Sequence, residues 1–241
     1  MNDKQNPMRG RLNVKNFCLR KIRKIRHRKG YGVHSPFAYS LITKVIEEKS
    51  GYYAYQQIEG LHRLLLDKQS LNKRRYRLLF RLANRFKPLT IIEAGSEGGY
   101  STLYLQKGSP AAQHFCIEPD PIKRAAAEQL LMRLPGKVTY INATIADGLS
   151  FLREKGAQPH FIYLHPLADA RQYEAAFAQI APMLNETCIL VVDGIRQSKE
   201  IHHCWEAWAR DEKIRVTFDL YTLAIASCNP KLNRQKYKVA F

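Results

Sequence analysis

The chain has 241 residues, 45% of them hydrophobic, which suits one large domain or a domain with a cap and excludes a disordered chain. No apolar run approaches the ~20 residues of a membrane-spanning helix, the stretch Met1 to Gly10 is polar where a secretory leader would be apolar, and the five cysteines are scattered without a CxxC pair, so a reducing, cytoplasmic location is expected. The net charge of +18 is uneven: residues 1–90 carry 22 Lys and Arg against 5 Asp and Glu, whereas residues 91–241 carry 17 against 16. The chain therefore divides into a basic segment and a nearly neutral one.

Residues 1–13 read as a tail. Val14, Phe17, Cys18, Ile22 and Ile25 form a thin apolar helix stripe among Arg20, Lys21, Arg23, Lys24, Arg26 and Arg28. Gly30 and Gly32 end it. Ser35-Pro36 reads as a helix cap followed by the first helical residue, and further helices are expected over Tyr55–Asp67 and Leu71–Phe86. After Pro88 the rhythm changes to strands at Thr90–Glu93, His114–Glu118, Val138–Asn142, His160–Leu164 and Cys188–Asp193. Helices alternate with them at Ser101–Gln106, Pro121–Leu134, Gly148–Lys155 and Ala170–Leu184, followed by Ser198–Arg210. Arg215–Leu220 and Leu223–Ser227 lie close enough for an antiparallel pair, and a last run covers Tyr237–Phe241. Such alternation predicts an α/β fold with a parallel sheet, helices on both faces and an antiparallel edge hairpin. The domain boundary falls between residues 1–87, a basic helical segment or cap, and residues 88–241.

The most informative motif is Ile91-Ile92-Glu93-Ala94-Gly95-Ser96-Glu97-Gly98-Gly99-Tyr100-Ser101-Thr102, an apolar strand, a glycine-rich turn and a helix start. Glycines permit a tight turn and close approach of a ligand to the backbone, and the helix start offers free N–H groups. The next strand ends in Ile117-Glu118, 23 residues beyond Gly95. An acid at about that offset reaches the hydroxyls of a ribose, because a carboxylate accepts two hydrogen bonds from a vicinal diol; the alternative is a solvated strand-end glutamate.

Glu-x-Gly ahead of Gly-Tyr-Ser-Thr, with Ile-Glu closing the second strand, resembles the class I S-adenosylmethionine-dependent methyltransferases, in particular their O-methyltransferase-like branch, over residues 89–241. Gly30-Tyr31-Gly32-Val33-His34-Ser35-Pro36-Phe37, Val191-Val192-Asp193-Gly194-Ile195, Trp205-Glu206 and Asp219-Leu220 are similar to a bacterial group within that branch. The resemblance implies a Rossmann-like, doubly wound, seven-stranded sheet preceded by N-terminal helices, and S-adenosylmethionine as cofactor. It places Glu93 and the Gly95–Gly99 backbone, with Ser96 and Ser101, near the methionine end, and Glu118 on the ribose.

Three departures qualify it. Ala143-Thr144 stands where the family has a Gly-Asp pair near the adenine, leaving Thr144 as the polar contact; His165 stands where metal-using members have an aspartate; and Gly194 follows Asp193 where a second acid or amide is usual. One carboxylate plus an imidazole is a poor magnesium site, so no metal is expected. His165 reads either as a general base for a hydroxyl or as a packed strand-end histidine, and Asp193 as its partner in placing the acceptor. His202-His203-Cys204 reads as an ordinary helix segment, since neighbouring helical residues point about 100° apart. The basic stretch 15–29 could grip RNA phosphates, lie on an anionic membrane or be a solvated face. The reading is methyl transfer to a hydroxyl of a small molecule, with an RNA methyltransferase and an inactive methyltransferase-like binding protein as alternatives.

Overall fold

The computed structural model describes residues 32–65, 73–132 and 138–241, so the basic stretch 15–29 lies outside them. Ser35 accepts a hydrogen bond from the Ala38 N–H, and Pro36 opens α1, Pro36–Leu41, which is the expected cap. α1 runs into a π-turn, Ile42–Ile46. The Val45 and Ile46 carbonyls, left without helical donors at that end, accept from the buried Arg81 guanidinium. α2, Tyr53–Leu65, and α3, Lys73–Phe86, complete the N-terminal layer.

Five strands then run parallel: β1 Thr90–Ala94, β2 Gln113–Ile117, β3 Val138–Ile141, β4 Phe161–Leu164 and β5 Ile189–Asp193. The helices between and after them are α4 Tyr100–Gly108, α5 Pro121–Leu131, α6 Ile145–Glu154, α7 Ala170–Met183 and α8 Lys199–Trp208. Asp120, Thr144, Asp169 and Ser198 cap the last four with side-chain oxygens. β6, Val216–Asp219, and β7, Leu223–Ser227, form the expected antiparallel pair, with β7 inserted beside β5. An eighth strand, β8 Gln235–Lys238, pairs parallel with β6 and forms the edge. It lies slightly ahead of the expected last run. Its side chains are mostly polar and exposed, which suits an edge strand but leaves little hydrophobic alternation to read.

The strand order is β3-β2-β1-β4-β5-β7-β6-β8. The chain winds outward in both directions from β1 and β4, so a crevice opens beyond the carboxyl ends of these two strands, where such sheets bind ligands. Alternate residues build two cores. Ile91, Phe161, Tyr163, Val191 and Phe218 face the N-terminal helices and α4; Ile92, Ile162, Leu164, Leu190 and Val192 face α6, α7 and α8. The first core runs unbroken from Ala38 to Val239, so packing crosses the compositional boundary at residue 87.

α3 and α4 pack tightly at Gly108, where an added Cβ would stand 2.7 Å from both the Ala83 Cβ and the Phe80 carbonyl oxygen. Backbone cannot yield as a flexible side chain does. Gly108→Ala is therefore expected to destabilise the protein by about 1–3 kcal/mol, the usual cost of overpacking, read as a lower urea midpoint at unchanged slope. An unshifted midpoint would show that the two helices have room to part.

Candidate active site

The glycine turn carries the chain from β1 to α4 by left-handed steps at Gly95 (φ 96°), Gly98 (φ 76°) and Gly99 (φ 90°), a region that side chains other than glycine rarely enter. The three do different work. A Cβ on Gly99 would meet the Cα of Ala127 at 2.8 Å, so this glycine lets α5 pack on the turn. A Cβ on Gly95 would meet the His165 Cβ at 2.8 Å, so the space beside Gly95 is filled by His165. Gly98 has only the edge of the Tyr100 ring, at 4.0 Å, and the turn is open there.

Under this turn lies a buried charged cluster. Glu93 is wholly enclosed. Its Oε1 lies 3.1 Å from His165 Nε2 and its Oε2 lies 3.0 Å from His114 Nε2. Burial by itself would raise the Glu93 pKa, but the hydrogen bonds from the two imidazoles, and their charge when protonated, outweigh it and hold the carboxyl down to about 2. An ionised carboxylate only accepts, so both histidines carry their proton on Nε2. His165 Nε2 also lies 2.9 Å from Ser101 Oγ. The Ser101 hydroxyl donates to the Ser96 carbonyl at 3.4 Å, so it accepts from the same imidazole N–H. The tautomer of neutral His165 is thereby fixed, with Nδ1 enclosed in the protein.

Glu118, also buried, closes β2 as the sequence indicates. Its Oε2 accepts from the Ser96 N–H at 2.9 Å and the Ser96 hydroxyl at 2.6 Å, and its Oε1 from the Asp120 N–H at 3.1 Å. It ties the end of β2 to the glycine turn and sets an anionic acceptor at the mouth of the crevice. Asp193, at the end of β5, accepts from Arg75 Nη1 at 2.6 Å and from the Tyr163 hydroxyl at 3.2 Å on Oδ2, and from the Gly194 N–H at 2.7 Å on Oδ1. The Tyr163 ring centroid is 4.4 Å from that of His165, so the two expected catalytic residues are linked through Tyr163. The loops after β4 and β5 border an open cleft of about 430 Å³ lined by Asp169, Arg171, Gln197, Ser198 and Glu200 among others.

The structure thus gathers Glu93, Gly95, Ser96, Ser101, Glu118 and His165 at the ends of β1, β2 and β4, with Asp193 beside them. Thr144 stands apart: it is exposed and caps α6, accepting from the Asp147 N–H at 3.3 Å and donating to the Asp147 carboxylate at 2.7 Å. His202 lies 3.2 Å from an Arg196 nitrogen and Cys204 near the Glu174 carboxylate. Among the described residues no group of three His, Cys, Asp or Glu is placed to hold a metal ion. Sequence reasoning missed His114, Tyr163 and Arg75. His114 gave one signal, a titratable residue in an otherwise apolar strand run. Arg75 gave none, because its partner is 118 residues away.

Comparison of the sequence with protein-family models and with curated proteins gives no match. Solved structures do match in shape. A methyltransferase of Podospora anserina bound to S-adenosylhomocysteine superposes with a TM-score of 0.60 at 16% identity over 80% of this chain and 96% of that one. The chain has the methyltransferase fold. An O-methyltransferase of Bacillus cereus in complex with S-adenosylhomocysteine gives a TM-score of 0.58 at 15% identity, covering 78% of this chain and 97% of its own. The O-methyltransferase TomG of Streptomyces achromogenes, in complex with S-adenosylmethionine, gives 0.56 at 17% identity, covering 74% and 90%. The glycine turn, Glu118 and the Glu93 cluster therefore sit at the switch point of a methyltransferase-type sheet.

The low Glu93 pKa makes stability depend on acid. A carboxyl whose folded pKa lies below its ordinary 4.5 stabilises the fold above 4.5 and ceases to do so as the pH falls toward about 2. Urea midpoints should fall across that window, and the part due to Glu93 should be absent from Glu93→Gln. Near neutral pH the same substitution is expected to cost about 1.5–3 kcal/mol, the worth of hydrogen bonds to a charged group. An acid profile identical in the two proteins would disprove the assignment.

Proposed function

We propose that the protein is an S-adenosylmethionine-dependent methyltransferase acting on a hydroxyl group of a small molecule, without a metal ion. The observation that carries this reading is the Glu93–His165–Ser101 arrangement at the switch point, in which a carboxylate and a hydroxyl fix the tautomer of a histidine at the end of β4. Metal-free transfer to oxygen needs such a base, because a neutral hydroxyl is a weak nucleophile.

The residues fit the cofactor. Glu118 is an acceptor of the kind a ribose diol requires, Ser96 adds a hydroxyl, and the turn is open at Gly98. Bound there, S-adenosylmethionine would supply a methyl group on a positively charged sulfonium. Ser101 and the Gly95–Gly99 backbone would hold its methionine end and the Thr144 region its adenine. Glu93 is enclosed; we assign it to His165, which it orients. His165 would take the acceptor's proton and hold it as an imidazolium against Glu93. Asp193, already neutralised by Arg75, positions Tyr163 and the end of β5 rather than moving a proton.

The cleft beside the loops after β4 and β5 suits a small acceptor. The RNA reading depends on residues 15–29, outside the described residues, and the helical segment 1–87 is proposed as a cap that covers one face of the sheet. Cys116, Cys188, Cys204 and Cys228 are buried free thiols, which supports a reducing, cytoplasmic location; no described helix is long and apolar enough to cross a membrane.

Calorimetric titration with S-adenosylhomocysteine tests the assignment. Glu118→Ala should weaken binding by about 1.5–3 kcal/mol, the worth of hydrogen bonds to a charged group, with Glu118→Gln intermediate. Unchanged affinity in folded variants would remove Glu118 from the ribose, and no binding by the unaltered protein would remove the cofactor.

A further inference from the structure

Tyr173 lies on α7, and its hydroxyl reaches the chain beyond β4 and the end of β5. The ring belongs to the second core, 6.0 Å from the Trp208 ring, and any aromatic side chain would serve that packing. The hydroxyl does something the packing does not require. It donates to the Asp193 carbonyl at 2.6 Å and accepts from the Leu167 N–H at 3.2 Å. Burial above all pushes this phenol up to about 12, so it keeps the proton it donates. The β4–β5 ladder ends at the pair Leu164 and Val192. Past that pair, the two chains are bridged by the Tyr173 hydroxyl.

Gly194 gives a second, independent sign of the same contact. Its φ is 74°, and a Cβ there would stand 2.6 Å from the Tyr173 oxygen and 2.8 Å from the Gln197 side-chain nitrogen. Gln197 is exposed and can yield; the Tyr173 oxygen, on a buried ring and held by two hydrogen bonds, cannot. The backbone after β5 therefore runs against the hydroxyl that also holds the loop after β4. Both loops then border the open cleft, through Ala168 and Asp169 on one side and Gln197 and Ser198 on the other.

We infer that Tyr173 is a positioning residue for the acceptor: its hydroxyl locks the loop that carries His165 to the end of β5 that carries Asp193, so that the two walls of the cleft keep one spacing. This rests on the reading of the cleft as the acceptor's place. Methyl transfer is an in-line displacement, and a misplacement of about 1 Å in such a reaction costs on the order of 100-fold in rate. Loops are the mobile parts of a fold, so a site built from two of them needs a fixed link. A buried hydroxyl beneath both supplies it.

The test is backbone ¹⁵N relaxation of the full chain, without cofactor or acceptor, so that its outcome is separate from whether the protein transfers methyl groups. In the unaltered protein, residues 167–169 and 194–197 should be as rigid as the strands, with order parameters of about 0.85. Tyr173→Phe keeps the ring and removes the hydroxyl. Order parameters should then fall toward about 0.6, the flexible range, in both loops together, while Gln113 and Ile189 at the far ends of β2 and β5 hold theirs. Gly194→Ala approaches from the other side: its Cβ should displace the hydroxyl and loosen Leu167, across the cleft from the substitution. A hydroxyl that merely stabilises the fold would lower the urea midpoint of Tyr173→Phe and leave native-state relaxation unchanged, which would overturn the inference. So would loosening of one loop alone, a Leu167 unmoved by Gly194→Ala, or loops already flexible in the unaltered protein. If Tyr173→Phe does not fold, the unaltered protein and Gly194→Ala decide.

Discussion

An ionised carboxylate can remain inside a hydrophobic sheet only if donors replace the water it has lost. Glu93 meets that condition with two imidazoles, one from β2 and one from the loop after β4. The strands on either side of β1 are thus joined at its carboxyl end by one charge as well as by backbone ladders. Gly95 must lack a side chain because His165 has to reach Glu93 across it. Ser101 must stand in the first turn of α4 where it does because its hydroxyl accepts from the same imidazole. The positions of the turn, the helix start and the end of β4 all follow from satisfying Glu93.

A second charged contact closes the face. Arg75, in the first turn of α3, meets Asp193 at the end of β5, and its neighbour Tyr76 stacks on Tyr100 and Tyr104 of α4. One turn of the N-terminal layer therefore touches both sides of the crevice, β5 on one flank and the helix after the glycine turn on the other. The compositional split of the chain marks a change in surface charge; the hydrophobic core is continuous across it.

How much of this the sequence disclosed depends on whether the information is local. The β1 strand, the glycine turn, Glu118 and the Ser35-Pro36 cap are carried by adjacent residues, and each lies where the pattern places it. The family position places Thr144 at an adenine contact, whereas the structure uses its hydroxyl to cap α6, a helix that starts three residues before the expected Gly148. The pairing of Glu93 with His114, and of Asp193 with Arg75, joins residues 21 and 118 positions apart, and no periodicity encodes such contacts. β8 was blurred because an edge strand is selected for polarity more than for alternation.

A crystal structure of the full chain with S-adenosylhomocysteine tests at once whether the cofactor lies over the glycine turn and whether Glu93 stays with its histidines. The expected result is a ligand at the β1–β4 switch point with its ribose hydroxyls on Glu118, and Glu93 still bonded to His114 and His165 with no contact to the ligand. A ligand bound elsewhere, or a Glu93 that leaves the histidines to meet the ligand, would contradict it.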